Sequence, residues 1–213
     1  MILMMSGGGY MQAQVVKSIA VNSGIVWSTQ NWDYKTADID FPSEYCTGFH
    51  IAAVTEFFQH KYLSLLTDIG YNRKGFKAEF PVIRVEPYEE LGTMEKKFAY
   101  KYLYFSPQFK ARMEFGNFIP YLFIGPRLDY QIAYPTEFSY PGWDYYNDLV
   151  LGMNYGLGIE YVIGPLGIGL IFHHQYDFMF LYDRQPSDDN TGLSIKNNAF
   201  VLDLGVKFYF GKE

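Results

Sequence analysis

The sequence predicts an all-β protein: an antiparallel up-and-down transmembrane β-barrel of about eight strands, with short periplasmic turns and long extracellular loops. Three observations favour this fold. Apolar and polar residues alternate with a period of two in long segments, which is the periodicity of strands. Short and long connections alternate between those segments. One residue in five is aromatic, yet the mean hydropathy is only −0.10, because lipid-facing rings are offset by a polar lumen.

Eight segments carry the alternation. The first clear one, 100–115, places Phe105 and Phe109 on one face and Lys110 and Arg112 on the other. The other clear segments are 121–132, 149–163 and 200–210, and the weaker ones are about 15–28, 47–59, 62–73 and 166–177. Each exceeds the five or six residues of an ordinary soluble strand. Each can also supply the roughly 9–11 residues with which a tilted strand crosses hydrocarbon.

The connections indicate which end of the barrel is which. Tight turns are expected at 59–61, 116–117 and 164–165, and longer connections at about 29–46, 74–98, 135–147 and 178–197. Short turns at one end and long loops at the other are typical of outer-membrane barrels, whose short turns face the periplasm. The chain is therefore interpreted as one barrel domain, 15–213, whose longer connections lie outside the cell.

Alternation alone does not decide which face is outside, since a soluble lipocalin-like barrel would turn its apolar face inward. The interior of an eight-strand barrel is only just wide enough to be filled by side chains. Phe105, Phe109, Phe115 and Phe208, together with their neighbours on the apolar face, would overfill it. The membrane arrangement, with the apolar face toward lipid, is therefore favoured over the soluble one.

The remaining features of the chain set further bounds. Residues 1–14 are short and apolar with a plausible cleavage point after Ala13, and we expect them to be the remnant of a signal peptide. No run reaches the 18 apolar residues of a membrane helix. Cys46 is the only cysteine, which excludes an intramolecular disulfide and a cysteine-rich metal site. The net charge of −6 argues against a nucleic-acid partner, whose phosphates need a basic surface.

Four stretches carry a family resemblance: Gly48-Phe49-His50 leading to Glu56-Phe57; 63–66 leading to 71–75; 119–126; and 156–160. They resemble the outer-membrane β-barrel family abundant in Bacteroidetes, often labelled porin-family or PorT-like and related in architecture to the OmpA/OmpX small barrels. The closing segment 204–210 is similar to that family's final strand, with an aromatic residue near its end. The resemblance implies an outer-membrane location, and its PorT branch would imply a part in type IX protein secretion.

No reaction centre is predicted. His173 and His174 are adjacent, and adjacent residues on a strand point to opposite faces, so they cannot share one metal site or one catalytic dyad. Some outer-membrane lipid A deacylases place a serine two residues from a histidine. Here those positions hold Gln175 and Tyr176, so we expect neither an enzyme nor a cofactor.

The polar face of the segments instead predicts a charged lumen. Its candidate members are Glu56, Asp68, Lys110, Arg112, Glu114, Arg127, Asp129, Glu160, Asp177, Asp203 and Lys207. Buried charges have to be paired, which favours a plug of salt bridges and hydrogen bonds over a proton path or a selectivity filter. Aromatic residues at segment ends, namely Trp27, Tyr62, Tyr134 and Phe210, are typical of interfacial girdles.

These features predict a small non-enzymatic outer-membrane barrel with a side-chain-filled lumen. We expect its partners to be outer-membrane lipid and lipopolysaccharide around the barrel, with a protein partner at the loops or the periplasmic face. It would act in partner binding or envelope integrity. Two alternatives remain at this point: a narrow porin-like channel for ions or small solutes, and a soluble lipocalin-like ligand-binding barrel.

Overall fold

The computed structural model describes residues 15–58, 60–84, 89–135, 146–187 and 191–210. The expected signal-peptide remnant, 1–14, lies outside the described residues. These described residues form nine strands: β1 (Val16–Asp33), β2 (Glu44–Phe57), β3 (Leu63–Arg84), β4 (Glu89–Arg112), β5 (Phe118–Ala133), β6 (Leu149–Ile163), β7 (Leu166–Asp177), β8 (Tyr182–Arg184) and β9 (Leu193–Tyr209).

Eight of these strands close into a ring. Each strand from β1 to β7 pairs antiparallel with the next, β7 pairs with β9, and β9 returns to β1, with Ser18 opposite Tyr209. The three-residue β8 also pairs with β9, beyond the point where β7 ends. The predicted up-and-down barrel of about eight strands is confirmed. No helix in the described part of the chain is long and apolar enough to cross a membrane.

Short turns lie at one end of the barrel and longer connections at the other. β2–β3, β4–β5 and β6–β7 are joined by the short segments 58–62, 113–117 and 164–165. Gly116 and Gly164 adopt positive φ of 61° and 56°, a conformation that glycine adopts without steric cost. Both ends of the barrel domain, at β1 and β9, lie on this same side, as the even strand count predicts.

The prediction of a long loop at 74–98 was wrong. β3 and β4 continue through this segment and pair as far as Arg84 opposite Glu89, so the connection is a long two-stranded hairpin. Its residues 91–97 are all exposed. A strand that is exposed to solvent on both faces needs no alternation of apolar and polar residues. Its sequence therefore resembles that of a polar loop.

Two other predicted loops are also shorter than expected. The segment 29–46 is largely strand, because β1 runs to Asp33 and β2 begins at Glu44. The segment 178–197 contains β8 and the start of β9. In both places strand pairing continues past the apolar belt, where the lipid-facing residues that signal a strand are no longer required.

The apolar face of every long strand points outward. Phe109 is 68% exposed and Leu204 is 66% exposed, whereas Lys110 and Asp203 beside them are buried. An apolar exterior with a charged interior is the arrangement of a transmembrane barrel. It contradicts the soluble lipocalin-like alternative, which needs the opposite orientation.

Candidate functional site

The lumen holds three levels of buried polar side chains, stacked along the barrel axis. Each level is assembled from several strands, because inward-pointing residues at one height come from different points in the sequence. We call them the turn-side quartet (Glu56, Lys110, Glu160, Lys207), the middle cluster (His50, Asp68, Tyr104, His173, Asp203) and the loop-side quartet (Lys74, Arg127, Asp129, Asp177).

The turn-side quartet is a closed network of two carboxylates and two ammonium groups. Lys207 Nζ lies 3.0 Å from Glu56 Oε2 and 2.8 Å from Glu160 Oε2. Lys110 Nζ lies 3.2 Å from Glu56 Oε2 and 4.0 Å from Glu160 Oε2. Ser64 donates to Glu56 at 2.6 Å, and Tyr209 donates to Glu160 at 2.6 Å. The formal charges of this level cancel.

The loop-side quartet has the same charge balance. Arg127 donates through Nε to Asp129 Oδ1 at 2.8 Å and through a terminal nitrogen to Asp177. Lys74 Nζ donates to the other oxygen of Asp129 at 2.6 Å. All four of these side chains are fully buried. An amide, Asn197 Nδ2, donates to Asp177 at 3.0 Å, so both carboxylates have several partners.

The middle cluster is a chain of hydrogen bonds that crosses the lumen. The Tyr104 hydroxyl donates to Asp68 Oδ1 at 2.8 Å, and His50 Nε2 lies 2.7 Å from the same hydroxyl oxygen. His50 Nδ1 lies 2.7 Å from Asp203 Oδ1. His173 Nε2 lies 3.3 Å from Asp203 Oδ2. All five side chains are buried.

Aromatic residues close the lumen above the loop-side quartet. Phe76, Phe98, Tyr100, Tyr102 and Leu181 form a buried cluster with a few smaller apolar neighbours. Trp32, Phe41, Phe80, Tyr134 and Tyr146 pack against it. This cluster is the aromatic cap. Together with the two quartets, it fills the lumen with side chains from the turn side to the loop side.

A small cavity of about 40 Å³ remains between the turn-side quartet and the middle cluster. Its lining includes Asp68, Gln108, Lys110, His173 and Lys207. A site needs roughly 10–15 Å³ and several polar partners to hold one water molecule. The cavity therefore has room for one to three waters, which is far from a continuous aqueous path.

Of the eleven lumen charges predicted from sequence, only Glu114 lies outside the barrel interior. Its side chain is 49% exposed at the turn-side rim, where it accepts a hydrogen bond from Arg112 at 2.5 Å. It follows Arg112 by two residues, but β4 ends at Arg112, so the alternation no longer holds its side chain inward. The other ten side chains lie in the lumen: Glu56, Asp68, Lys110, Arg112, Arg127, Asp129, Glu160, Asp177, Asp203 and Lys207.

Sequence reasoning missed three members of these lumen clusters: His50, Lys74 and His173. The signal that could have found them is parity along each strand. Lys74 has the parity of Asp68, and His50 has the parity of Glu56. Lys74 falls in the predicted loop 74–98, whereas β3 continues to Arg84.

The four predicted girdle residues have different environments. Tyr62 is exposed at the turn end, and Trp27 points outward from β1. The Phe210 ring packs against the ring of Phe208, 5.4 Å away. Tyr134 instead packs against the aromatic cap and donates a hydrogen bond to Asp148. It therefore belongs to the loop-side closure rather than to a lipid-facing ring.

Two other sequence candidates are placed as follows. His173 points into the lumen while His174 is half-buried on the outer side beside Tyr155 and Asn198. The two histidines do lie on opposite faces. Cys46 is a buried free thiol whose sulfur lies 3.8 Å from Ser28 Oγ, near the start of β2.

The fold is similar to solved structures of bacterial outer-membrane proteins. The chain matches neisserial surface protein A (NspA) with a TM-score of 0.52 and 11% identity, over 90% of this chain and 97% of that one. OprG from Pseudomonas aeruginosa matches with a TM-score of 0.48 and 10% identity, over 92% of this chain and 98% of that one. The N-terminal β-barrel domain of OprF from Pseudomonas aeruginosa matches with a TM-score of 0.46 and 13% identity, over 92% of this chain and 100% of that one.

No model of a known protein family matches the sequence, and no curated protein matches it either. The comparison with NspA therefore carries the fold alone. The chain has the fold of a small bacterial outer-membrane β-barrel, in agreement with its apolar exterior and closed ring of eight strands.

Proposed function

We propose that this protein is a non-enzymatic outer-membrane barrel whose filled lumen serves as a rigid anchor, and whose β3–β4 hairpin binds an extended segment of a protein partner outside the cell. One observation carries this proposal. The hairpin continues well past the neighbouring strands and presents open strand edges. Lipid and lipopolysaccharide would surround the apolar belt.

The length of the hairpin follows from the strand registers. β2 pairs with β3 no farther toward the loops than Glu44 opposite Lys77, and β5 pairs with β4 no farther than Ala133 opposite Lys101. β3 and β4 go on pairing with each other to Arg84 opposite Glu89. At about 3.3 Å per residue, the extra seven to twelve residues project by roughly 25–40 Å along the strands.

The projecting part has unpaired edges. Within the described residues, no strand pairs with the outer edge of 78–84 or of 91–100. Open edges present rows of main-chain donors and acceptors that an added strand can satisfy. Leu91 and Met94 are also exposed there and provide apolar contacts. An extended peptide segment fits this chemistry better than a saccharide, which has no main chain to pair.

Charged contacts brace the base of the hairpin. Lys77 Nζ lies 2.8 Å from Glu44 and 2.9 Å from Glu95. These hydrogen bonds raise the pKa of Lys77, and the bond from Lys77 lowers the pKa of Glu95. Both groups therefore stay charged near neutral pH. An isolated two-stranded hairpin is marginally stable in water, so this bracing and an added strand from a partner would both stabilise it.

Site-specific photo-crosslinking on whole cells tests the proposal. A photoreactive residue replaces Lys96, on the open part of β4, or Lys101, where β5 already covers the edge. We expect a discrete protein adduct from position 96 and not from position 101. Replacing 81–93 by Asn-Gly, a favoured two-residue hairpin turn, should abolish the function that depends on that adduct, whereas deleting 37–40 from the β1–β2 loop should not.

The absence of any protein adduct from position 96 would refute the binding role. So would equal adducts from positions 96 and 101, since contact would then be independent of the open edge. The narrower proposal of a role beside type IX secretion rests on the resemblance to PorT-like barrels, and it requires the crosslinked partner to be a component or a cargo of that system. The narrow-channel alternative is weakened by the aromatic cap and the two quartets.

A further inference from the structure

The middle cluster differs from the two quartets in its charge balance. Each quartet pairs two carboxylates with two Lys or Arg side chains. The middle cluster also holds two carboxylates, Asp68 and Asp203. Among the described residues, neither has a Lys or Arg within ion-pair distance. Two negative charges at the centre of the lumen are therefore faced by histidines, a tyrosine and the Gln108 amide, none of which carries a fixed positive charge.

The hydrogen-bond directions in this cluster place two acceptor atoms, His50 Nδ1 and Asp203 Oδ1, opposite each other. Tyr104 has one hydroxyl hydrogen, which it donates to Asp68. His50 Nε2 must therefore be the donor to the Tyr104 oxygen, 2.7 Å away. In a neutral imidazole the other nitrogen, Nδ1, then carries a lone pair. That lone pair faces a carboxylate oxygen of Asp203 at 2.7 Å, which requires a proton or a metal cation between them.

His173 supplies a third ligand at the same place. Its Nε2 lies 3.3 Å from Asp203 Oδ2. The ligand atoms of His50, His173 and Asp203 all lie within 4.8 Å of one another. Zinc binds nitrogen at about 2.0–2.1 Å and oxygen at about 2.0–2.2 Å, so tetrahedral ligands stand about 3.3 Å apart. Metal binding therefore requires side-chain rotations that bring the three atoms to that spacing.

We propose that His50, His173 and Asp203 bind one divalent transition-metal ion of the zinc class in the middle of the lumen. Two imidazoles and one carboxylate suit zinc, whereas calcium and magnesium prefer oxygen ligands. The hydrogen bond from His50 to Tyr104 is the kind of outer contact that fixes the orientation of a metal-binding histidine. A dication also balances Asp68 and Asp203, so this level becomes neutral like the quartets.

The adjoining cavity has room for a partner of the second ring nitrogen of His173. His173 Nδ1 is buried and has no hydrogen-bond partner in the described structure, and His173 lines the 40 Å³ cavity. A water molecule there can accept a hydrogen bond from Nδ1–H. This arrangement leaves Nε2 as the metal ligand.

Cobalt binding to the untagged protein in detergent tests the proposal. The protein is stripped with EDTA, and Co²⁺ is added either after folding or during refolding, because the site is enclosed. We expect the visible absorption of four-coordinate Co²⁺ to appear and to saturate at one ion per chain. Added Zn²⁺ should displace the Co²⁺ and abolish this absorption. His50→Gln and His173→Gln should each lower the affinity at least tenfold. His174→Gln, the neighbouring histidine on the outer face, should bind like the unaltered protein.

Absence of the absorption under both loading conditions would overturn the proposal. Binding that is unchanged in both His50→Gln and His173→Gln, or equally weakened by His174→Gln, would overturn it as well. If the lumen variants fail to refold, the unaltered protein still decides through two readouts. Its stoichiometry must be one, and Zn²⁺ must raise its thermal unfolding midpoint relative to EDTA. These results are independent of the hairpin's partner.

Discussion

Arg127 offers the sharpest test of the charged lumen, because it holds two buried carboxylates at once. It donates to Asp129 at 2.8 Å and to Asp177, and a third bond goes to Asn154 Oδ1 at 3.1 Å. Removing one partner of a buried ion pair costs about 3–5 kcal/mol. In Arg127→Met, Asp129 keeps Lys74 at 2.6 Å, but Asp177 loses its guanidinium. We expect the free energy of unfolding to fall by about 4 kcal/mol.

The assay is urea unfolding of the barrel in detergent micelles, followed by tryptophan emission and gel mobility. Lys35→Ala is the matched control, since it breaks a Lys–Asp pair of similar length, 2.6 Å to Asp183, at the partly exposed loop side. There the hydrogen bond from Lys35 lowers the pKa of Asp183. The loss for such a pair should stay below about 1 kcal/mol.

A second substitution separates charge from packing. Asp177→Asn should restore part of the stability in the Arg127→Met background, because it removes the carboxylate that Arg127→Met leaves unpaired. In the unaltered background the same change should destabilise the barrel. A loss in Arg127→Met no larger than that in Lys35→Ala, or a further loss when Asp177→Asn is added to Arg127→Met, would contradict a stabilising role of these buried ion pairs.

Three further predictions concern the barrel as a whole. The folded protein should resist SDS and shift its gel mobility only on boiling, since a closed barrel leaves no strand edge unpaired in lipid; an unshifted band would contradict closure. In a Cys46→Ser background, cysteines at Asp40 and Lys96 should react with an impermeant maleimide on whole cells while one at Asn117 should not, and the reverse labelling would invert the topology. Replacing 81–93 by Asn-Gly, which keeps Phe80 against the aromatic cap, should change the unfolding free energy by less than about 0.5 kcal/mol, because the described residues beyond Phe80 are exposed; a larger loss would make them part of the barrel.

The sequence predicts the membrane part of the fold well, because lipid imposes a rule on every strand. Wherever a strand crosses the apolar belt, one face must be apolar and the other must suit a crowded lumen, as in β6 and β7. That rule stops at the rim. Lys77 and Glu95 look like loop residues, yet they belong to paired strands and contact each other across the pair. The local pattern of apolar and polar residues does not distinguish a solvent-exposed hairpin from a solvent-exposed loop.

Which lumen side chains contact each other is harder to predict than which side chains point into the lumen. Parity tells which side chains point inward, but the stagger of the strands decides their height. His50, His173 and Asp203 come from β2, β7 and β9 and meet only because the barrel closes between β1 and β9. Adjacency in sequence pointed to His173 and His174, which the pleat separates. The two histidines that do lie close together, His50 and His173, are far apart in the chain.

Conductance in planar lipid bilayers tests the central claim most directly. If the quartets and the aromatic cap fill the lumen, the unaltered protein should give no steady current, and Arg127→Met should lose stability without gaining a selective channel. A stable open channel in the unaltered protein would contradict this account, most clearly if Arg127→Met altered its ion selectivity and left its unfolding free energy unchanged.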